Sequence, residues 1–469
     1  MMRQLTSLDA AFIYMEGDGK HNHLTGVYIY DQSTVSGGML RFKDILAHVE
    51  ERLQHSPVFR QKLLPVPMSM DYPYWVDDPD FDVEFHVRHI ALPRPGDWRQ
   101  FCILVARLHS RPLDMTRPAW EMYIVEGLDN IDHLPSGCFA VVSKYHHAAV
   151  DGATGVELLG ALNDTTSDAS SSSKSRRARY QPALAPARFS LMRKALWNNL
   201  RQPFLLTRSV SLTLPPVARY FLGRIRTGAG ERLPVPDTRF NGKVSAHRVF
   251  EGREFDLGIF RAIKNAVPGT TVNDVVLAVV AGALRRFLRE HDELPEAPLV
   301  AAVPISSRGE HDDSPGNQVT IMTCALATDV DEPRQRLLNI NASTRSSKAT
   351  VNAIGARQMT DIQKHLPSAT LALVGRLVNG MALGSRARFC NVVVTNVPGP
   401  QIPLYFCGAR MVGSWGCGPV TDGVGLLILA TSYHGKMFIS LSSCREMLPE
   451  IAELAKHMQI ACDELVTAC

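Results

Sequence analysis

The stretch KYHHAAVDG, Lys144 to Gly152, sets two imidazoles side by side and an aspartate four residues beyond the second. A neutral imidazole is well matched to taking a proton from an alcohol near neutral pH. Neighbouring strand residues point to opposite faces, so His146 and His147 cannot both line one cavity unless the strand ends at them. One ring is expected to meet substrate or solvent, and the other to pack inward. Ala148, Ala149 and Val150 are small enough for a close turn, and Gly152 lets another group approach the backbone. Asp151 stands where it can order that turn or pair with a cation. The same residues also read as a plain strand that runs into a turn. A metal site would need a third ligand, and none follows at suitable local spacing. His21 and His23 form a second histidine pair, read as solvated or capping because no acidic partner stands beside them.

The elements that must position the motif follow from periodicity. Cys138 to Tyr145, CFAVVSKY, is a β-rich run that ends at the two histidines, and Gly155 to Leu162 has helical apolar spacing. Leu40 to Leu53 and Trp98 to Ser110 read as amphipathic helices. A Ser-, Arg- and Pro-rich segment without apolar periodicity then reads as a linker, giving domains at 1–163 and 236–469 with residues 164–235 between them. In the second domain Val272 to Leu288 is a helix-length apolar segment. Leu299–Ile305, Val319–Ala327, Phe389–Val397, Gly425–Tyr433 and Met437–Ser442 read as strands, and Glu446 to Val466 closes the chain as a helix. The fold class is therefore α/β or α+β, with two domains of similar size. Asn273, at the start of the long helix, reads either as its N-cap or as an amide available to substrate.

The chain has 469 residues, 45% apolar and 20% charged, which is a globular composition. A formal charge of +4 demands no nucleic-acid partner. The charge is uneven, however. Asp164 to Gly230 holds two lysines and ten arginines against two aspartates, a local net of +10. Within it, FSLMRKALWNNLRQPFLLTR interleaves large apolar and basic residues. It reads either as short helices packed on the domains or as an interfacial segment that docks on lipid. Nine cysteines with no C-x-x-C pair argue for a reducing compartment. The N-terminus shows no signal peptide, and the longest apolar run, Val275 to Leu284, falls well short of the ~20 residues that span a bilayer. A cytoplasmic protein, soluble or peripheral on a membrane or lipid droplet, is expected.

Seven ordered segments place H-H-A-A-V-D-G in context. LTSLDAAFIYMEG, FDVEFHVRHIALPRPG, SRPLDMTRPAWEMYIVEGL, TVNDVVLAVVAGALRRFL, VPISSR, PGNQV and NVPGP cover nearly the whole chain outside the linker. Together with the histidine motif they resemble the bacterial, mycobacterial-type wax ester synthase/diacylglycerol acyltransferase family, within the HHxxxDG CoA-dependent acyltransferases. The resemblance implies two chloramphenicol-acetyltransferase-like domains, each a mixed sheet with flanking helices, and an active-site tunnel between them. It implies direct acyl transfer from acyl-CoA to diacylglycerol or a long-chain alcohol, with His147 as general base and His146 in support. Asp151 and Gly152 would order the loop, with Arg308 as the partner of Asp151, and Asn273 would donate to the oxyanion. Pro118, Trp120 and Asn396 are candidate substrate-contacting or pocket-wall residues. No metal and no cofactor are implied beyond acyl-CoA as co-substrate.

The chain departs from the family in places. The family's Pro-Leu-Trp is Pro118-Ala119-Trp120 here, and its Asp-Arg…Pro-Asp is Cys444-Arg445…Pro449-Glu450. Both changes bear on substrate preference rather than on the base. Two other readings compete. A condensation-like acyltransferase would draw on a carrier protein, but no Gly-x-Asp-Ser-Leu carrier site occurs in the chain. A non-catalytic lipid-droplet protein would not need the intact motif.

Overall fold

The structure is a computed structural model that describes residues 2–17, 19–35, 37–150, 152–167, 182–183, 186–187, 189–202, 204, 207, 234–306, 319–354, 368, 370–372 and 388–469. Asp151 and Arg308 lie outside the described residues.

Two six-stranded sheets form the frame, each of mixed sense. In chain order the strands are β1 (Arg3–Gln4), β2 (His23–Asp31), β3 (Gln61–Leu64), β4 (Tyr74–Asp77), β5 (Val87–Ala91), β6 (Trp120–Glu126), β7 (Cys138–His146) and β8 (Arg248–Asp256). They continue with β9 (Val300–Ser306), β10 (Val319–Ala325), β11 (Val392–Pro398), β12 (Tyr405–Phe406), β13 (Ala409–Cys417), β14 (Leu426–Tyr433) and β15 (Lys436–Cys444). The first large sheet runs β12-β13-β2-β7-β6-β5, the second β10-β9-β11-β14-β15-β8, and a three-stranded sheet β1-β4-β3 flanks the first.

The two halves of the chain are not separate in space. β13, from the second half, pairs antiparallel with β2 and extends the first sheet. It also touches the second sheet: Thr431 Oγ1 donates to Ser414 O at 2.7 Å, and the Trp415 ring meets Phe438 edge-on at 4.7 Å. The helix Trp98–Ser110 closes the seam, with Trp98 Nε1 donating to Glu251 Oε1 of β8 at 2.5 Å.

The helix Val272–Glu290 is buried on every face from Asp274 to Leu284, as a helix enclosed between layers must be. The capping box of Thr271 and Asp274 starts it, so the N-cap is Thr271 and not Asn273, which sits two residues inside. Asp274 accepts from Thr344 Oγ1 at 2.8 Å and Asn341 Nδ2 at 3.0 Å, which ties this helix to Pro333–Ile354. The closing helix Ile451–Ala468 approaches closely at Gly282, where a Cβ would lie 2.9 Å from Ala461 Cβ. Only glycine permits that approach.

Helix ends follow local chemistry. Trp98–Ser110 begins at the capping box of Asp97 and Gln100. The last helix begins at Ile451 rather than at Glu446, because Leu448, the residue before Pro449, is disfavoured from helical backbone. No helix among the described residues is long and apolar enough to cross a membrane. All nine cysteines are unpaired thiols, and all but Cys469 are buried.

Candidate active site

β7 is buried along its whole length and ends at His146. Residues 147–149 then turn toward the helix Gly152–Leu162. His146 is fully buried. Its backbone N–H donates to Ala119 O at 3.0 Å, and its Nδ1 accepts from the Ala148 N–H at 3.0 Å. With Nδ1 accepting, the ring proton of the neutral form sits on Nε2. That atom lies 3.2 Å from Glu16 Oε1, within reach of charge attraction but outside hydrogen-bond alignment. His146 is thus a fixed strut of the turn.

His147 is only half-buried. Its backbone N–H donates to Asn22 O at 2.8 Å. Its ring stacks on Phe12, with centroids 3.9 Å apart and planes 13° from parallel, and its Nδ1 faces the interior. The imidazole is therefore held flat against an aromatic wall while part of it stays accessible. Phe12, Glu16 and Asn22 were not singled out by sequence reasoning, although LTSLDAAFIYMEG was. Asn22 binds them together, since its Nδ2 donates to Phe12 O and its N–H to Glu16 Oε1, both at 2.6 Å.

Apolar residues gather around the turn. Ala148 packs in one cluster with Leu5, Ala10, Tyr72, Trp75 and Ala119, bordered by Phe12, Met115 and Ala149. Ala119 stands where the family carries leucine, so its shortened side chain faces this cluster. Pro118 is buried next to it. Trp120 is 1% exposed, stacked on His86 at 4.5 Å, with Nε1 donating to Phe59 O at 2.9 Å. It is a core residue of the first sheet.

Beneath the histidines lies a buried polar layer. Lys144 is 0% exposed, its Nζ 3.2 Å from Glu121 Oε2 and donating to Leu108 O and Arg111 O at 3.1 Å each. Burial pulls its pKa down, and Glu121 opposes that shift. Tyr123 OH donates to Glu121 Oε2 at 2.6 Å. His109 bridges the seam: its Nδ1 pairs with Thr25 Oγ1 at 2.8 Å and its Nε2 with Gly418 O at 3.2 Å. Burial drives the His109 pKa down to about 3, so the ring is neutral.

His21 and His23 correct the sequence reading. His23 is 1% exposed, so it is not solvated, and Glu16 supplies the acidic partner. The reason is a tight hairpin: Gly17 and Lys20 pair antiparallel, which folds Glu16 back beside His21.

The remaining candidates lie in the second half. Asn273 is half-buried in the first turn of its helix. Asn396 pairs with Ala430 across β11 and β14, and the strand runs on through Pro398 before Gly399 meets Ser432 O. A Cβ on Gly399 would lie 2.4 Å from that oxygen, which accounts for the glycine between two prolines.

The chain resembles known proteins in both sequence and structure. Residues 5–276 match the wax ester synthase/diacylglycerol acyltransferase catalytic domain, and residues 315–466 match the WS/DGAT C-terminal domain. The chain belongs to the wax ester synthase/diacylglycerol acyltransferase family. It is an acyltransferase. A Mycobacterium tuberculosis protein named by inference as a diacylglycerol O-acyltransferase is 34% identical over 99% of this chain and 90% of its own length. The O-acyltransferase WSD of Acinetobacter baylyi is 31% identical over 98% of this chain and 96% of its own. Among solved structures, the wax ester synthase/diacylglycerol acyltransferase of Marinobacter aquaeolei VT8 aligns with a TM-score of 0.67 at 28% identity, covering 99% of this chain and all of that one. A condensation domain of the calcium-dependent antibiotic synthetase aligns at 0.59 with 13% identity, covering 99% and 96%, which shows a shared fold.

Proposed function

We propose that the chain transfers an acyl group from acyl-CoA directly to the hydroxyl of diacylglycerol, and also to long-chain alcohols. The observation that carries this reading is the His147 imidazole, stacked on Phe12 with its backbone held by Asn22, at the edge of an apolar cluster. His147 takes the hydroxyl proton as the oxygen attacks the thioester carbonyl. The new C–O bond forms, the C–S bond breaks, and the proton passes from His147 to the CoA sulfur. Base catalysis of this kind is worth roughly 10²–10⁴-fold. Asn273 is the proposed donor to the oxyanion, and Asp151 with Arg308 the pair that orders the loop. The cluster around Ala119 and Ala148 is the proposed wall for the acyl chain, widened at Ala119. No bound cofactor takes part in these steps.

A water-insoluble acceptor must be met at a lipid surface, and the segment 189–202 supports peripheral docking there. It is helical. One face is held down, with Leu191 and Ala195 buried against Val66, Tyr74 and Val76, and Asn198 Nδ2 donating to Asp71 Oδ2 at 2.7 Å. The opposite face presents Phe189, Leu196, Trp197 and Leu200 to solvent, each more than half exposed, beside Arg193, Lys194 and Arg201. The packed-helix reading describes the buried face, and the exposed apolar and basic face is what supports lipid docking.

The deciding assay offers purified protein radiolabelled palmitoyl-CoA with diacylglycerol and hexadecanol in parallel. Labelled triacylglycerol, with wax ester as a second product, is the expected result. Transfer only from an acylated carrier protein would replace the CoA reading with a condensation-like one.

A further inference from the structure

Outside the acyl-transfer chemistry, one cluster has the donor set of a metal centre. One nitrogen from each of His21 and His23 and one oxygen of Glu16 lie within 4.8 Å of one another. The fold brings them together by two local contacts. The Gly17–Lys20 hairpin sets Glu16 across from His21, and the His21 ring stacks on that of His23, the first residue of β2. The two rings lie 5.2 Å apart and within 10° of parallel. His23 is 1% exposed, and its Nδ1 has no hydrogen-bond partner among the described residues. A buried, unpaired ring nitrogen is costly unless something else supplies a partner.

We propose that Glu16, His21 and His23 bind one divalent zinc ion, which staples the N-terminal hairpin over the catalytic turn. Two imidazoles and one carboxylate leave a fourth position open, a set zinc takes readily. Tetrahedral bonds of about 2.0–2.1 Å place ligand atoms roughly 3.3 Å apart, so the cluster must tighten slightly on binding. Glu16 and His21 are only half-buried and have room to do so. Arg248 and Lys144 stand near enough to oppose a cation, so moderate affinity is expected.

The position gives the ion a structural effect. Glu16 also accepts from the Asn22 N–H and faces His146 Nε2, while Asn22 O holds the His147 backbone. Fixing Glu16 therefore stiffens the segment that clamps His147, with no part in the transfer itself. The same hairpin is tied to the second half by Lys20 Nζ to Asp422 Oδ2 at 2.5 Å.

The test titrates zinc chloride into the full chain, with Mg²⁺ as control, by calorimetry and by metal analysis after dialysis. Three variants go in parallel: His21→Ala, His23→Asn and Cys469→Ser, the last removing the one exposed thiol. The expected result is one zinc per chain and a zinc-dependent rise in Tm. His21→Ala should weaken binding at least tenfold and abolish the Tm rise, while metal-free acyl transfer stays at the wild-type rate. Cys469→Ser should bind as wild type. Unchanged zinc uptake in His21→Ala, no uptake by wild type, or loss only in Cys469→Ser would each overturn the site. Because His21 touches no reacting group, none of these outcomes depends on the acyl-transfer reading.

Discussion

Under the catalytic turn the first sheet and the helix Trp98–Ser110 bury Lys144, Glu121, His146, His23 and His109, whereas the helix packed on the second sheet buries ten residues in a row, Val275 to Leu284, without one polar side chain. The second core is held by area removed from water, at about 25 cal/mol per Å². The first carries charges and imidazoles that must each find a partner, at a desolvation cost that apolar residues would avoid. That cost concentrates where β7 turns into His147. The difference locates chemistry: a core that only had to fold could be apolar throughout, as the run Val275 to Leu284 is.

The largest effect tests the turn itself. His147→Ala should lower transfer by about 10²–10⁴-fold with the fold intact, while His146→Ala, which loses a strut, retains measurable turnover. Circular dichroism checks the fold and the radiolabel assay checks the rate. If the His147 variant stays within about tenfold of wild type, a loss of only ~1.4 kcal/mol, His147 is not the base.

Next comes the contrast between the two cores. Lys144→Met leaves buried Glu121 only the Tyr123 hydroxyl and the more distant Arg88 at 3.7 Å, and should cost up to about 3–5 kcal/mol. Leu284→Ala in the second core should cost about 2–5 kcal/mol through a cavity. The magnitudes overlap, so the rescue separates them. Adding Glu121→Leu to Lys144→Met should recover most of the lost stability in urea, because no charge is then stranded. If the double variant is as unstable as the single one, the pair is not what the first core depends on.

These partners explain what was legible in the sequence. Trp98–Ser110 was readable end to end because its periodicity and capping box lie within a few residues of each other. Cys138–Tyr145 was readable because it is apolar and β-rich, and the family motif followed directly. β2, β8 and β13 were not read as strands. HLTGVYIYD and ARMVGSWGC carry glycines that weaken a local strand signal, and their pairing joins Cys417 to Thr25 across most of the chain. The clamp on His147 was hidden for the same reason, since Phe12 and Asn22 meet it only through folding. Glu16 was closer to hand: five residues before His21, it needed only a hairpin, and Gly17 and Gly19 were a visible signal for one.

Acid should weaken the first core through His109. His109 has a folded pKa of about 3 against 6.5 for an ordinary histidine. Between those values the unfolded chain holds more protons, so stability rises with pH there and is lost as pH falls from 6.5 toward 3. A full proton contributes a slope of about 1.4 kcal/mol per pH unit. Burial lowers the pKa of His23 in the same direction. Urea midpoints at pH 7.5 and pH 5 should therefore differ for wild type and differ less for His109→Gln. An equal drop in both would assign the acid sensitivity to other groups.

The smallest expected effect lies outside both cores, on the helix at 189–202, whose exposed face no core explains. Each basic residue near an anionic surface contributes about 1 kcal/mol, screened by salt. Arg193, Lys194 and Arg201 are all exposed, and the Arg201 guanidinium sits 4.6 Å over the Trp197 ring, so charge and an insertable aromatic act from one place. Reversing the three charges to glutamate should weaken binding to anionic liposomes by up to ~3 kcal/mol at low salt, and much less at high salt. Leu191 and Ala195 hold the other face down, so the fold and the activity on detergent-dispersed diacylglycerol should not change. Liposome co-sedimentation at two salt concentrations measures the first quantity, and the radiolabel assay in detergent the second. Liposome binding as tight as wild type at low salt would show that this helix merely packs, and would leave its exposed face without a role in reaching the acceptor.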